Sequence, residues 1–140
     1  MGTSEKPAVV RPSERELEVL EVLWERGPST VREVMGALGG EPEAGYTSWQ
    51  KIMSIMLDKS LVSRVAEGRV HRYAARVARS DVRRRLAAEL LDRVFGGSVA
   101  ALVQSSLATR ATSEEELREV EALIEAAMAD KPASGSEEMG

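Results

Sequence analysis

The stretch GYTSWQKIMSIMLDK, residues 45–59, combines two kinds of side chain at helical spacing. Its apolar residues recur every three or four positions, which places them on one face of a helix; they are Trp49, Ile52, Met53, Met56 and Leu57. The opposite face carries hydrogen-bonding groups and one cation: Thr47, Ser48, Gln50, Lys51 and Ser54. This second face suits a polar, anionic partner. An ordinary amphipathic surface helix shows the same pattern, so the stretch alone leaves both interpretations open.

A second group of cations follows directly in the sequence. Residues 61–66 and 70–75 have the composition of two short strands, and Gly68 between them permits the positive φ of a tight turn. The outward residues of this predicted hairpin are Arg64, Arg69, His71 and Arg72. Because the chain has a single histidine and no cysteine, we expect no metal site and no cofactor.

The charge of the chain is distributed unevenly. The 140 residues carry a net charge of −4. Residues 46–85 contain 10 basic and 3 acidic groups, a net charge of +7, whereas residues 1–45 and 86–140 have net charges of −4 and −7. A local basic band is the electrostatic pattern of phosphate binding, although a solvated patch balanced by acidic neighbours has the same count.

Several classes of protein are not expected from the composition. Without cysteine there is no disulfide framework and no thiolate metal site. No apolar run approaches the roughly 20 residues that span a bilayer, and the N-terminus lacks the apolar centre of a signal peptide, which predicts a cytoplasmic protein without membrane insertion. We find no Gly-rich phosphate loop and no nucleophile beside the histidine, so an enzyme is not expected.

Helix signals in the first half of the chain predict three short helices. Ser13 and Thr30 each precede a glutamate by three residues, the spacing of a capping box. The first helix ends at Gly27 and Pro28, and a loop through Gly45 separates the second helix from the third, which spans 46–59 with Thr47 as its N-cap. We predict that the periodic apolar residues of these helices form a common core, and that this core includes both tryptophans, Trp24 and Trp49.

Three further helical segments follow the hairpin. Ser80, Ser98 and Ser113 are predicted to cap them, the last with Glu116 as its capping-box partner. These segments are too small for an independent core, so we interpret them as a dimerisation element; the alternative is that they pack back on the first domain. The predicted dimerisation residues are Leu86, Leu90, Val94, Phe95, Leu102, Leu107, Leu117, Val120, Leu123 and Ile124.

The order of these elements predicts a mostly α fold. Its N-terminal part is a winged helix-turn-helix of three helices and a two-stranded β-hairpin wing, and its C-terminal part is a helical dimerisation domain. The predicted limits are a flexible arm at 1–12, the winged helix at 13–79, the dimerisation domain at 80–130 and a disordered tail at 131–140. In such a fold the third helix enters the major groove, where Lys51 can donate to guanine, while the wing cations grip phosphates.

The same residues resemble a known family. The segments RPSERELEVLEVLWERGPSTVREVMGAL, GYTSWQKIMSIMLDKSLVSRV and EGRVHRYAA resemble the DNA-binding domain of BlaI/MecI-type bacterial penicillinase repressors. LLDRVFGGSVAALVQSSL and TSEEELREVEALIEAAM resemble the dimerisation domain of that family. The likeness covers roughly residues 12–129. It implies a homodimer that represses transcription by occupying a pseudo-palindromic operator in double-stranded DNA.

The chain departs from the family pattern at three places. Ser54-Ile55-Met56 stands where members commonly have Asn-Arg-Leu, and Lys59-Ser60 where they have Lys-Gly. The resemblance implies a membrane sensor protease as a partner, but Ser105-Ser106 occupies the place of the Asn-Phe pair that is cut in such members.

A protein-protein interaction module is the alternative function, since winged helices also bind proteins and the acidic flanks suit a basic partner. The basic band favours DNA.

Overall fold

The computed structural model describes residues 11–39 and 42–131, and for residues 42–44 it describes the backbone alone. These ranges form α1 (Glu14–Arg26), α2 (Val31–Ala37), α3 (Pro42–Asp58), β1 (Val62–Glu67), β2 (Val70–Ala75), α4 (Arg79–Phe95), α5 (Val99–Thr109) and α6 (Glu114–Asp130). The predicted fold class is confirmed, with three helices, a two-stranded hairpin and further helices in the expected order. The predicted arm at 1–12 and tail at 131–140 lie almost entirely outside the described residues.

Capping boxes fix the beginnings of α1 and α2, as the sequence spacing predicts. Ser13 Oγ accepts the backbone N–H of Glu16 at 3.1 Å, and the Glu16 carboxylate accepts that of Ser13 at 2.9 Å. Thr30 and Glu33 form the same two bonds, both at 3.1 Å. Each box satisfies two backbone donors that a helix start otherwise leaves unpaired.

The third helix begins earlier than predicted. The sequence analysis places a loop through Gly45 and a cap at Thr47, whereas α3 starts at Pro42. Proline is favoured in the first turn of a helix, because its missing N–H needs no partner there. Thr47 is therefore an exposed residue within α3, and the prediction of a cap at this position is wrong. Gly45 and Tyr46 also belong to the helix.

One hydrophobic core joins α1, α2, α3 and the hairpin. Its buried members include Val19, Leu20, Leu23, Val34, Met35, Trp49, Met53, Met56, Leu61, Val62 and Tyr73. Trp49 is buried as predicted, while Trp24 is half-buried and packs against this core. The Trp24 indole N–H donates to the carbonyl of Val77 at 2.9 Å, which ties the segment after β2 to α1.

The hairpin is the predicted wing. Its strands pair antiparallel from Val62 and Ala75 to Glu67 and Val70, and Gly68 turns the chain with a φ of 67°. Tyr73 exchanges two backbone hydrogen bonds with Ser29, at 2.8 and 2.9 Å. These bonds hold the wing beside the connection from α1 to α2.

The chain divides into two compact units, and the division falls within α4, between Leu90 and Leu91. The predicted domain limits stay a prediction. Ser80 is not the cap of α4, because the helix begins at Arg79 and the Val82 N–H already donates to the Ala78 carbonyl.

In the second unit, Ser98 and Ser113 cap α5 and α6 as predicted, each accepting a backbone N–H at 3.0 Å. Among the described residues of this unit, 91–131, no side chain is buried.

Candidate nucleic-acid interface

The packing of α3 determines which of its faces meets solvent. Trp49, Met53 and Met56 anchor the helix in the core, with at most 6% of their surface exposed. The predicted recognition residues lie on the remaining surface: Thr47, Ser48, Gln50 and Lys51 are exposed and Ser54 is half-buried. Residues 45–57 contain no acidic side chain. Between residues 45 and 57, the exposed face of α3 therefore carries hydrogen-bonding groups, one cation and the apolar side chain of Ile55.

The wing presents part of the predicted cationic set to solvent. Arg64, Arg69 and His71 are exposed, and Arg64 also donates to the hydroxyl of Tyr73 at 3.3 Å. Strand alternation and pairing place Arg64 and His71 on one face of the hairpin and Arg72 on the other.

Arg72 is held by protein groups. Its Nε donates to Glu67 at 2.8 Å, and its Nη1 donates to Glu33 and to the Pro28 carbonyl, both at 3.3 Å. The hydrogen bond to Glu67 and the charge of that carboxylate raise the pKa of Arg72 above its ordinary value. The sequence pattern predicts the same role for Arg72 as for the other wing cations, but in the structure Arg72 is paired with carboxylates whereas Arg64 and Arg69 have no such partner among the described residues.

Ion pairing divides the basic band of residues 46–85 into two groups. The cations within 4.0 Å of a carboxylate are Lys59, Arg72, Arg79, Arg83 and Arg84. The cations without such a partner among the described residues are Lys51, Arg64, Arg69, Arg76 and Arg85. Lys51, Arg64 and Arg69 are members of the predicted interface, so its positive charge is not neutralised within the described part of the chain.

Two residues that the sequence analysis did not select lie next to this interface. A cleft of about 150 Å³ is lined by Gln50, Arg69 and His71, and also by Arg32 and Tyr46. The Arg32 guanidinium carbon lies 4.7 Å from the centre of the Tyr46 ring. Tyr46 precedes Gln50 by four residues and so lies on the same face of the helix. This spacing from a predicted recognition residue could have identified Tyr46 as a candidate from the sequence. No local pattern connects Arg32 to the wing.

Comparison with known proteins identifies the family. The sequence matches the penicillinase repressor family over residues 12–126. The chain belongs to this family. It is 30% identical over 131 residues to the transcriptional regulator BlaI of Mycobacterium tuberculosis, covering 91% of this chain and 95% of that protein. It is 26% identical over 113 residues to the penicillinase repressor of Bacillus licheniformis, covering 81% and 88%. The predicted resemblance is confirmed, and the penicillinase repressor family comprises transcriptional repressors, not enzymes.

Three residues at which this member departs from the family pattern are exposed on helices. Ile55 is on α3 with 39% of its surface exposed. Ser105 and Ser106 are exposed within α5, where the Ser106 hydroxyl donates to the Leu102 carbonyl at 2.8 Å. No helix in the described ranges is both long and apolar enough to cross a membrane.

The predicted dimerisation residues belong to both compact units, and none of them is fully buried. Four of them are half-buried, namely Leu86, Phe95, Leu102 and Val120, and six are exposed, namely Leu90, Val94, Leu107, Leu117, Leu123 and Ile124. Leu102, Leu107, Leu117 and Val120 line one cleft between α5 and α6.

Proposed function

We propose that this chain is a sequence-specific DNA-binding transcriptional repressor that acts as a homodimer on a pseudo-palindromic operator. The observation that carries the proposal is the exposed face of α3, free of acidic residues from 45 to 57 and flanked by Arg64 and Arg69, which have no ion-pair partner among the described residues. A helix with such a face fits the major groove, while wing cations reach the backbone. Membership of the penicillinase repressor family supports the same function.

The proposed contacts follow from the chemistry of each side chain. Lys51 donates to O6 or N7 of a guanine, and Thr47, Ser48, Gln50 and Ser54 bond to base edges or phosphates. Arg64, Arg69 and His71 bind phosphates and supply affinity without sequence preference. Arg72 acts indirectly. By pairing with Glu33 and Glu67 it offsets one of the two negative charges that would otherwise repel the DNA backbone.

The second unit supports the homodimer. Its described residues bury no side chain, although Val94, Leu107, Leu123, Ile124 and Met128 expose between 47% and 71% of their surface. An apolar surface of this kind marks an interaction site, and small helical segments gain stability by association. A second copy of the chain, presenting the same surface, would cover these residues.

Sedimentation of matched variants tests the dimer. Ile124 lies in the centre of the apolar face of α6, and Ala122 lies on the opposite face by helical spacing. Ile124→Glu should convert the dimer into monomer at micromolar concentration, whereas Ala122→Glu should remain dimeric. A wild-type chain that sediments as a monomer, or equal behaviour of the two variants, would overturn the homodimer.

DNA binding is tested with a labelled fragment from upstream of the gene, titrated at two salt concentrations beside random DNA. The wild type should bind the fragment more tightly and with a steep salt dependence, because phosphate contacts release counterions. Lys51→Ala should weaken binding to this fragment more than to random DNA. Arg118→Ala, which removes an exposed cation from α6, is the control and should bind as the wild type does. Equal affinity for both DNAs would refute sequence-specific repression, and salt-insensitive capture of a protein would favour the interaction module.

Release by a membrane sensor protease rests on the family resemblance alone. The place of the cleavage pair is taken by Ser105 and Ser106 within α5, so a protease would first have to open this helix. Mass spectrometry of the chain recovered after derepression tests this partner, since an intact chain would argue for another release route.

A further inference from the structure

The cleft lined by Arg32 and Tyr46 joins three elements that are separate in sequence. Arg32 comes from α2, Tyr46 and Gln50 come from α3, and Arg69 and His71 come from the wing. Two guanidinium groups, an imidazole and an amide thus converge on a space of about 150 Å³. The groups that line it are mostly hydrogen-bond donors, which suits an anionic ligand.

Arg32 is oriented by Tyr46. The guanidinium carbon is 4.7 Å from the ring centre, within the range of a cation-π contact. A flexible arginine side chain loses rotamer freedom when it binds a ligand, and a stacking contact that already restricts it reduces this loss. Arg32 and Arg69 have no carboxylate within 4.0 Å among the described residues, so neither charge is neutralised there.

Glu33, the acidic residue next to Arg32 in sequence, is hydrogen-bonded to other groups. The Glu33 carboxylate accepts the Thr30 N–H at 3.1 Å and the Arg72 guanidinium at 3.3 Å. Glu33 therefore does not compete for Arg32, and the described residues that line the cleft include two arginines and no carboxylate.

We propose that this cleft binds one phosphodiester of the operator backbone, with Arg32 as a phosphate-binding residue and Tyr46 as the positioning residue that holds it. The inference rests on the proposed function, since α3 in the major groove brings a DNA strand between this helix and the wing. It adds to that function a contact from α2.

The test uses the full chain and the upstream fragment, with the affinity measured over a range of salt concentrations. Arg32→Ala should weaken binding about tenfold and lower the slope of log affinity against log salt by about one, as expected for one lost phosphate contact. Tyr46→Leu removes the ring and should lose part of the affinity, whereas Tyr46→Phe keeps the ring and should bind more tightly than Tyr46→Leu. Tyr46→Leu should have no further effect once Arg32 is alanine.

A matched control is available within the same unit. Arg15 also stacks on an aromatic ring, with its guanidinium carbon 5.0 Å from the centre of Trp49, but it does not line the cleft. Arg15→Ala should leave both the affinity and the salt slope unchanged. An equal loss in Arg15→Ala and Arg32→Ala would show that the effect is general charge and would overturn the assignment.

Uncharged methylphosphonate linkages, placed one at a time in the operator fragment, identify the phosphate itself. One position in each half-site should weaken binding of the wild type but not of Arg32→Ala. The inference is overturned if the two proteins respond alike at every position. Failure of the proposed function looks different, because the wild type would then not prefer the upstream fragment at all.

Discussion

Ser60, the second residue after α3, adopts a backbone conformation that its side chain disfavours, and its replacement by glycine should stabilise the protein. Ser60 has a φ of 65°, the one positive value at a non-glycine position in the described residues. The Ser60 N–H donates to the Leu57 carbonyl at 3.0 Å, and the Leu61 N–H donates to the Met56 carbonyl at 2.9 Å. These two bonds form a Schellman motif, whose left-handed position is usually glycine.

The size of the effect follows from two opposing terms. The left-handed conformation costs a residue with a Cβ about 1–2 kcal/mol. Glycine loses about 0.5–1 kcal/mol more backbone entropy on folding. The net gain for Ser60→Gly is about 0.5–1 kcal/mol. Met56 and Leu61, exposed by 0% and 1%, anchor the turn in the core, so Ser60 cannot relax to a negative φ without disturbing them.

Thermal unfolding followed by circular dichroism measures this gain. For a unit of this size, about 1 kcal/mol corresponds to roughly 4–8 °C in Tm, so Ser60→Gly should raise Tm by several degrees. Ser60→Ala is the control, because it removes the hydroxyl but keeps the Cβ, and it should show no increase. If Ser60→Gly unfolds at or below the Tm of the wild type, the reasoning from backbone strain is wrong.

Three further changes test the packing around the interface. Lys59 donates to both oxygens of the buried Glu16 carboxylate, at 2.9 and 3.0 Å. Lys59→Met should therefore lower the free energy of unfolding, measured by urea denaturation, by about 1–2 kcal/mol. The expected loss is smaller than for a fully buried pair, because Lys59 is about one-third exposed. An unchanged urea midpoint would show that the pair contributes nothing. Trp24→Phe removes the indole bond to Val77 and should cost about 1 kcal/mol by the same assay, and no loss would mean that solvent replaces this bond. Gly36 lies within α2, where an added Cβ would meet nothing within 4 Å, so Gly36→Ala should raise the free energy of unfolding by about 0.5–1 kcal/mol; destabilisation would contradict the open space at this site.

Most of the fold could be predicted because its signals are local. A capping box such as Ser13 with Glu16 needs only residues three positions apart, and a wing turn needs only Gly68 between two strands. The start of α3 could not be placed this way. Glycine and proline between residues 39 and 45 are typical of a loop, but proline is also favoured in the first turn of a helix, and α3 begins at Pro42.

The electrostatic character of the interface depends on contacts that are distant in sequence. Counting charges along the chain assigns Arg72 to the basic band and Arg32 to an acidic flank. In the folded chain, however, Arg72 is paired with carboxylates, and Arg32 lines the cleft beside the predicted interface. Glu33, which is 39 residues from Arg72, accepts a hydrogen bond from its guanidinium at 3.3 Å. Among the described residues, Arg32 has no carboxylate within 4.0 Å, and it stacks on Tyr46 in the cleft with Arg69. Under the proposed function, the binding surface consists of the described cations that have no carboxylate partner after folding. Glu33→Gln removes one negative charge next to Arg32 while Arg72 stays paired with Glu67 at 2.8 Å, so the affinity for the upstream fragment should rise in the salt titration.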